Sequence, residues 1–243
     1  MKSYDLKYKR FGGNSILIEW PPTIDDSILK NILLFKSYID KKYVNLKIYT
    51  KTSYNSLLVT YPNEINEIIK VLELRSLYKN LEPLKKQSFN KWEIPVCYDI
   101  DFGKDLMFLR KKLSLEIEEI ISIHISKEYR VFNLGFLPGF LYLGGMDKRI
   151  HYPRKNSPSL DIEKGSVGIG GFQTGIYPNQ SPGGWNIIGK TPINLFDIEM
   201  TSPCFIKAGD KVKFVSISKK EYGLILIQIQ SNIYELKKTV FND

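Results

Sequence analysis

Histidine and cysteine are scarce in this chain, which has only two of each in 243 residues. His124 and His151 fall in no HxxxH or HExxH spacing, so no metal site is expected. Cys97 and Cys204 lie far apart and belong to no CxxC pair. They read as thiols acting as small apolar side chains, not as a disulfide framework. No apolar run approaches the ~18–20 residues that span a bilayer. Residues 1–15, MKSYDLKYKRFGGNS, lack the apolar core of a signal peptide. No membrane partner is expected, and cytoplasm is the expected compartment. Arginine is sparse too, at positions 10, 75, 110, 130, 149 and 154. The net charge of +9 therefore rests mostly on scattered lysines. Arginine reads phosphate and guanine through a two-pronged fork, and it is not clustered here, so no nucleic-acid partner is expected.

Hydrophobic residues make up 43% of the chain and charged residues 25%, the balance of an ordinary globular protein. Residues 15–20 (SILIEW) alternate with a period of two and predict a strand. Thr23 and Asp26 form a T-x-x-D cap before Ile28, Ile32, Phe35 and Ile39, which recur at helical spacing. Strands are predicted at 44–50 and 54–61 with a turn at Lys51–Ser53. A helix is predicted from Glu64 to about Lys79, with Ile65, Ile68, Ile69 and Leu72 on its buried face. This order, with a strand at 92–98 as the element that closes it, fits a small ferredoxin-like α/β domain over residues 1–85. A further helix is predicted to open at Ser114 as N-cap. Beyond Tyr129 no long helix is expected. Of the 17 glycines, 12 fall between residues 135 and 189, which points to a β-rich barrel or sandwich over 86–222. Ala208–Asp210 reads as a hairpin turn between CFIK and KVKFVSI. Residues 223–243 form a tail to which the pattern assigns no role. The fold class expected is α+β.

Two matches to nucleotide motifs fail on physical grounds. Gly184 to Thr191 fits G-x-x-x-x-G-K-[ST], but a phosphate loop must lead at once into a helix. Trp185, Asn186, Ile187 and Ile188 favour extended structure, and Pro192 disfavours helix at Thr191. Gly168, Gly170 and Gly171 lack the third glycine of a dinucleotide fingerprint. His124 projects from the apolar face of its helix. It is either a partly buried histidine bonded to a carbonyl or a general base in a cleft. Gly135, Phe136, Pro138, Gly139 and Phe140 set aromatics in a rigid turn, and Arg154 follows Pro153 in a loop suited to a paired anion contact. Gln173, Thr174, Tyr177, Ser181, Pro182, Gly183, Gly184, Trp185 and Thr191 place polar tips and rings on a glycine-rich frame, either a tight barrel corner or a ligand-facing surface.

Taken in order, IPVCYD (94–99), DFGKDL (101–106), GFLPGFLYL (135–143), PR (153–154), GSVGIGGFQTGIYP (165–178) and SPGGWNIIGKTP (181–192) resemble the family of 5-oxoprolinase B subunits. That family also takes in proteins like the first subunit of allophanate hydrolase and a sporulation-kinase inhibitor, and its sequences form subdomains C and D of a carboxyltransferase domain. The resemblance implies a cyclophilin-like β-barrel behind the small α/β domain. It also implies two partners, the homologous C subunit and an A subunit, in an ATP-consuming 5-oxoprolinase complex that converts 5-oxo-L-proline to L-glutamate. The chain is then expected to be inactive alone. Inhibition of a sensor histidine kinase and allophanate hydrolysis are the alternatives it leaves open. The family signature itself assigns no residue roles. On chemical grounds Arg154 and the glycine amides around 183–184 are the expected oxyanion donors and His124 the proton-transfer candidate. The residues from Gly135 to Thr191 named above are expected to form a substrate-binding or intersubunit surface. Two departures stand out: Ser159, not arginine, follows Pro158, and DIEK (161–164) replaces a small apolar lead-in to Gly165.

Overall fold

Ile16 and Ile18 sit on one face of a strand, and both are fully buried. They anchor the first of two units in the computed structural model, which describes residues 3–82 and 87–243. The first unit ends at Gln87 and the second begins at Ser88. In chain order the first holds β1 (Lys7–Phe11), β2 (Ser15–Glu19), α1 (Asp26–Lys42), β3 (Tyr49–Ser53), β4 (Ser56–Thr60) and α2 (Glu67–Lys79). The sheet order is β1-β2-β4-β3, antiparallel throughout. Strands β2 and β3 therefore run parallel with β4 between them and α1 crossing over, which is the split βαβ arrangement. The outer edge beside β2 is filled by β1 from the N-terminal side. Residues 92–98 do not close this sheet.

Helix α1 buries Ile28, Ile32, Phe35 and Ile39 as expected, each worth about 1.5–3 kcal/mol when fully removed from water. Its N-cap is Asp25, which accepts from the Ser27 amide at 2.7 Å, and not Thr23. The β3–β4 turn falls at Tyr54–Asn55, later than the expected Lys51–Ser53. Helix α2 is rolled relative to the expected face. It buries Leu74 and leaves Ile68, Ile69 and Leu72 exposed.

The second unit opens with β5 (Ser88–Cys97), α3 (Leu106–Leu113) and α4 (Ile117–Ser126). The strands β6 (Glu128–Leu134), β7 (Leu141–Gly144), β8 (Ser159–Ile162), β9 (Ser166–Gly170), β10 (Gln173–Ile176), β11 (Ser181–Gly183), β12 (Asn186–Lys190) and β13 (Lys211–Ile217) follow. It ends with α5 (Lys219–Gln230) and β14 (Lys238–Asn242). Seven strands, in the order β12-β9-β10-β7-β6-β13-β5, close into a barrel through the Lys190–Cys97 pair of β12 and β5. Fully buried Ile94, Val96, Val131, Leu143, Val167, Ile169 and Ile176 form much of its core. The fold class is α+β, with the barrel following the small α/β unit.

Several local expectations are corrected here. Ser114 does not start a helix. It ends α3 in the left-handed conformation at φ 54°, and α4 begins after Glu116, whose amide donates to the Glu119 carboxylate at 2.8 Å. Residues 208–210 do not form a hairpin, because residues 204–207 are not a strand; the strand beside β13 on one side is β5, running parallel to it. The turn is instead held by Asp210. Its buried carboxylate accepts from the Asn90 amide at 2.9 Å, the Trp92 indole N–H at 3.0 Å and the Lys207 amide at 3.0 Å. Residues 223–243, without a role in the sequence pattern, complete the second unit. Ser218 and Glu221 cap α5, and β14 pairs antiparallel with Ser88–Trp92 of β5. There the rings of Phe89 and Phe241 lie 5.9 Å apart, and Arg130 faces both, at 5.9 and 5.4 Å from their centroids, and pairs with Asp243. Among the described residues no helix is long and apolar enough to cross a membrane.

Candidate functional site

Glycine spacing on β9 and β10 decides what the barrel face can hold. Gly168 and Gly170 share a strand face, and Gly175 pairs with Gly168 across the ladder. A Cβ on Gly170 would lie 2.6 Å from the Trp185 ring, and one on Gly175 would lie 2.8 Å from that ring and 2.4 Å from the Leu141 carbonyl oxygen. The indole thus rests on bare backbone that no side chain can share. Around it Phe140 meets Trp185 edge-on at 5.4 Å and Tyr177 edge-on at 4.9 Å, and Tyr142 lies 5.8 Å from Trp185. Gly183 is required by the Tyr177 hydroxyl, which a Cβ there would approach to 2.3 Å. Burial raises the Tyr177 pKa, while the Trp185 amide N–H and the Arg154 charge work against the rise. The phenol stays protonated at neutral pH.

The outermost ring of this ladder is Phe136. It is 64% exposed and packs edge-on to Phe140 at 5.8 Å. Its φ of 69° is left-handed, a conformation that costs a bulky residue about 1–3 kcal/mol and clusters at functional surfaces. The turn is fixed by hydrogen bonds from the Phe140 amide to the Leu137 carbonyl at 3.0 Å and from the Gly135 amide to the Phe140 carbonyl at 3.2 Å. Gly139, at φ 83°, lies so close to Phe196 that a Cβ would come within 2.7 Å of it. Pro138 is exposed at the tip.

Arg154 flanks the ladder. Its guanidinium lies 3.6 Å from the Cβ position of Gly184, and its charge acts on Tyr142 and Tyr177. The Arg154 side chain is exposed, but its loop is pinned. The Lys155 amide donates to the Gly184 carbonyl at 2.7 Å, and the Asn186 amide group donates to the Pro153 carbonyl at 2.9 Å. The Lys155 ammonium pairs with Asp105 at 2.8 Å, and the same carboxylate accepts from the Ile187 amide at 2.6 Å. Chemically, an exposed, pre-positioned guanidinium beside aromatic rings suits a carboxylate or an oxyanion. The DFGKDL stretch contains Asp105, but nothing in its spacing singles this residue out as the anchor of the Arg154 loop.

His124 lies elsewhere, fully buried. The Thr174 hydroxyl donates to the Gly168 carbonyl at 3.0 Å, so toward His124 Nε2, 2.9 Å away, it can only accept. The network thereby assigns the proton to Nε2 and leaves Nδ1 to accept from the Tyr98 hydroxyl at 2.8 Å. The ring also stacks on Phe214 at 4.6 Å. Burial drives its pKa down to about 3, so both nitrogens of a neutral imidazole are engaged and neither faces solvent. His124 and Arg154 therefore do not converge, and Gln173 alternates with Thr174 to the opposite side of β10.

The other expected site residues divide in the same way. Thr191 is buried, with its amide on the Gly165 carbonyl at 2.9 Å and its hydroxyl accepting from the Ile193 amide at 3.2 Å, a bracing role. Ser181 and Gly183 pair with β8, and Pro182 between them is exposed. Within Gly184 to Thr191, residues Asn186–Lys190 form strand β12, with no helix following, so this is not a phosphate loop. A separate cavity of about 640 Å³ between Trp92, Phe205, Tyr234 and Leu236 takes in none of the expected residues.

The family described as carboxyltransferase domain, subdomain C and D, matches residues 6–206. The 5-oxoprolinase B subunit of Bacillus subtilis (strain 168) is 56% identical over 130 residues, which cover 54% of this chain and 54% of that protein, about half its length. The Escherichia coli O157:H7 protein of the same name is 40% identical over 162 residues, covering 66% of this chain and 74% of that one. Among solved structures, the Kluyveromyces lactis urea amidolyase superposes with a TM-score of 0.80 at 19% identity, covering 99% of this chain and 16% of that one. At that identity the likeness concerns the fold alone. With the match running from Leu6 through the barrel face to Ile206, the chain belongs to the family of carboxyltransferase-domain subdomains C and D.

Proposed function

We propose that this chain is the B component of an ATP-dependent 5-oxoprolinase, working with the C and A components to convert 5-oxo-L-proline to L-glutamate. The observation that carries this reading is the 56% identity to the Bacillus subtilis protein over the matched segment. The reaction consumes ATP and water and yields glutamate, ADP and phosphate. A five-membered lactam is a poor electrophile; phosphorylation of its amide oxygen by ATP would activate the ring carbon, and one water would add there. The ring C–N bond would then break to free the amine and leave an acyl phosphate, and a second water would release phosphate and glutamate. The phosphate-loop match of this chain does not fit a nucleotide site, since its residues Asn186–Lys190 are a strand and no helix follows; the proposal places ATP on a partner. What this chain offers is the rigid face around Phe136, Phe140 and Trp185, with Arg154 at its border to hold a carboxylate or developing oxyanion. His124 is too enclosed to move a proton to a ligand, so the acid–base groups are also assigned to a partner. The test is lactam-dependent ADP release by this chain alone, by the partner proteins alone and by all three mixed, with allophanate as a competing substrate. The expected result is release from the full mixture only, with glutamate formed in step. Turnover of 5-oxoproline by the isolated chain, or a full mixture that responds to allophanate and not to the lactam, would overturn the proposal.

A further inference from the structure

The first unit, described by itself, has a cavity of its own. Residues from α2, β1, α1, the segment 3–6 and Leu81 line a half-open cleft of about 420 Å³ with Arg75 and Lys79 exposed at it, within the ~300–1,000 Å³ typical of small-molecule sites. Tyr4, Tyr8 and Tyr78 line it with rings, and Leu6 and Leu81 add aliphatic surface. Arg75, Tyr78 and Lys79 lie at i, i+3 and i+4 on α2 and so share one helix face. Behind them Asn31, only 2% exposed, uses Oδ1 to accept from the Tyr78 hydroxyl and the Trp20 indole N–H, both at 2.8 Å. The Tyr4 amide in turn donates to the Tyr78 oxygen at 3.2 Å. These bonds fix the ring that forms the wall, so the cavity is organised before any ligand arrives.

Charge selects the class of ligand. The lining carries Arg75 and Lys79 against one carboxylate, Asp5, for a formal balance of +2 − 1 = +1. Arg75 lies over the Tyr8 ring at 5.3 Å. A contact of the guanidinium charge with a ring face consumes none of its N–H donors and leaves them for another group. Among the described residues, neither Arg75 nor Lys79 has a carboxylate partner. In the same unit Lys9, Lys36 and Lys70 are paired, with Glu19, Asp40 and Glu73 respectively. The Tyr8 hydroxyl remains a donor at neutral pH, since burial raises its pKa.

We infer that this pocket binds a small organic anion with a flat body, with an aromatic carboxylate as the simplest case. Its carboxylate sits on Arg75 and Lys79, and its ring sits against Tyr8 and Tyr78. The assignment is independent of the lactam reaction and of any partner protein. The test titrates the full chain with benzoate and, separately, with benzylamine, following the backbone amide NMR signals of Tyr8, Asn31 and Tyr78. Benzoate should give saturable shifts at these three positions, and benzylamine should give none. Arg75→Met should weaken benzoate by roughly tenfold, the order expected for losing a charge-assisted fork, and Lys79→Met by several-fold. If Arg75→Met does not fold, Lys79→Met and the salt dependence of benzoate binding decide the matter. Non-saturating benzoate shifts, equal affinity for benzylamine, or unchanged binding in the variants would overturn the inference.

Discussion

Acidifying the solution from about pH 7 to about pH 5 should weaken the barrel through one side chain, His124. In the folded protein its ring is neutral, with burial holding its pKa near 3 against an ordinary value of 6.5. The unfolded chain therefore binds a proton that the folded chain refuses. Stability is full above pH 6.5 and falls as the pH drops below it, at a slope approaching about 1.4 kcal/mol per pH unit. Between about pH 7 and pH 5 the loss comes to about 2 kcal/mol. Carboxylates held low by partners, such as Glu163 between Lys104 and Lys190, act mainly below this window. The measurement is urea unfolding followed by tryptophan fluorescence in a Trp20→Phe background, so that Trp92 and Trp185 report the second unit alone. His124→Gln keeps one donor and one acceptor but does not titrate. It should be less stable at pH 7 yet nearly flat across the window. Parallel loss in both proteins would refute the assignment of a neutral, enclosed imidazole.

Gly170→Ala should displace Trp185, because the added Cβ has no room against its ring. A loss of about 1–3 kcal/mol is expected, with a red shift of the indole emission as the readout. Asp210→Ala leaves the Trp92 indole and the Asn90 and Lys207 amides without their acceptor. The cost should reach about 3 kcal/mol or more in chemical denaturation. Arg154→Ala should change stability by less than about 0.5 kcal/mol, as an exposed side chain does. It should nonetheless lower lactam-dependent ADP release in the full mixture, with partial recovery in Arg154→Lys.

The sequence exposed some of this and hid the rest for identifiable reasons. The α1 face was readable because Ile28, Ile32, Phe35 and Ile39 recur with one period and nothing competes with it. Strand β1 was not. As an edge strand reading KYKRF it buries almost nothing, so it shows no alternation. Helix α5 was obscured by Leu224–Gln230, where apolar residues at 225, 227 and 229 mimic a strand, although the Ser218–Glu221 cap was there to be read. The α2 roll escaped because Ile68, Ile69 and Leu72 look like a core stripe, and only the sheet beneath decides which stripe wins. At the site, GFLPGF and SPGGW already signalled rings on a glycine frame. The enclosure of His124 could not be read, because helical spacing gives the face it leaves from and says nothing of the Thr174 hydroxyl waiting on β10.

The last strand has a consequence for handling the protein. Strand β14 covers Ser88–Trp92 of β5, a stretch that the barrel seam, closed at Lys190 and Cys97, leaves unmatched on that side. Stripped of it, β5 would present a ladder of vacant amides and carbonyls, the sort of margin that recruits strands from other molecules. A shortened preparation would thus fail first by clumping, and light scattering would register the damage before a melting curve did.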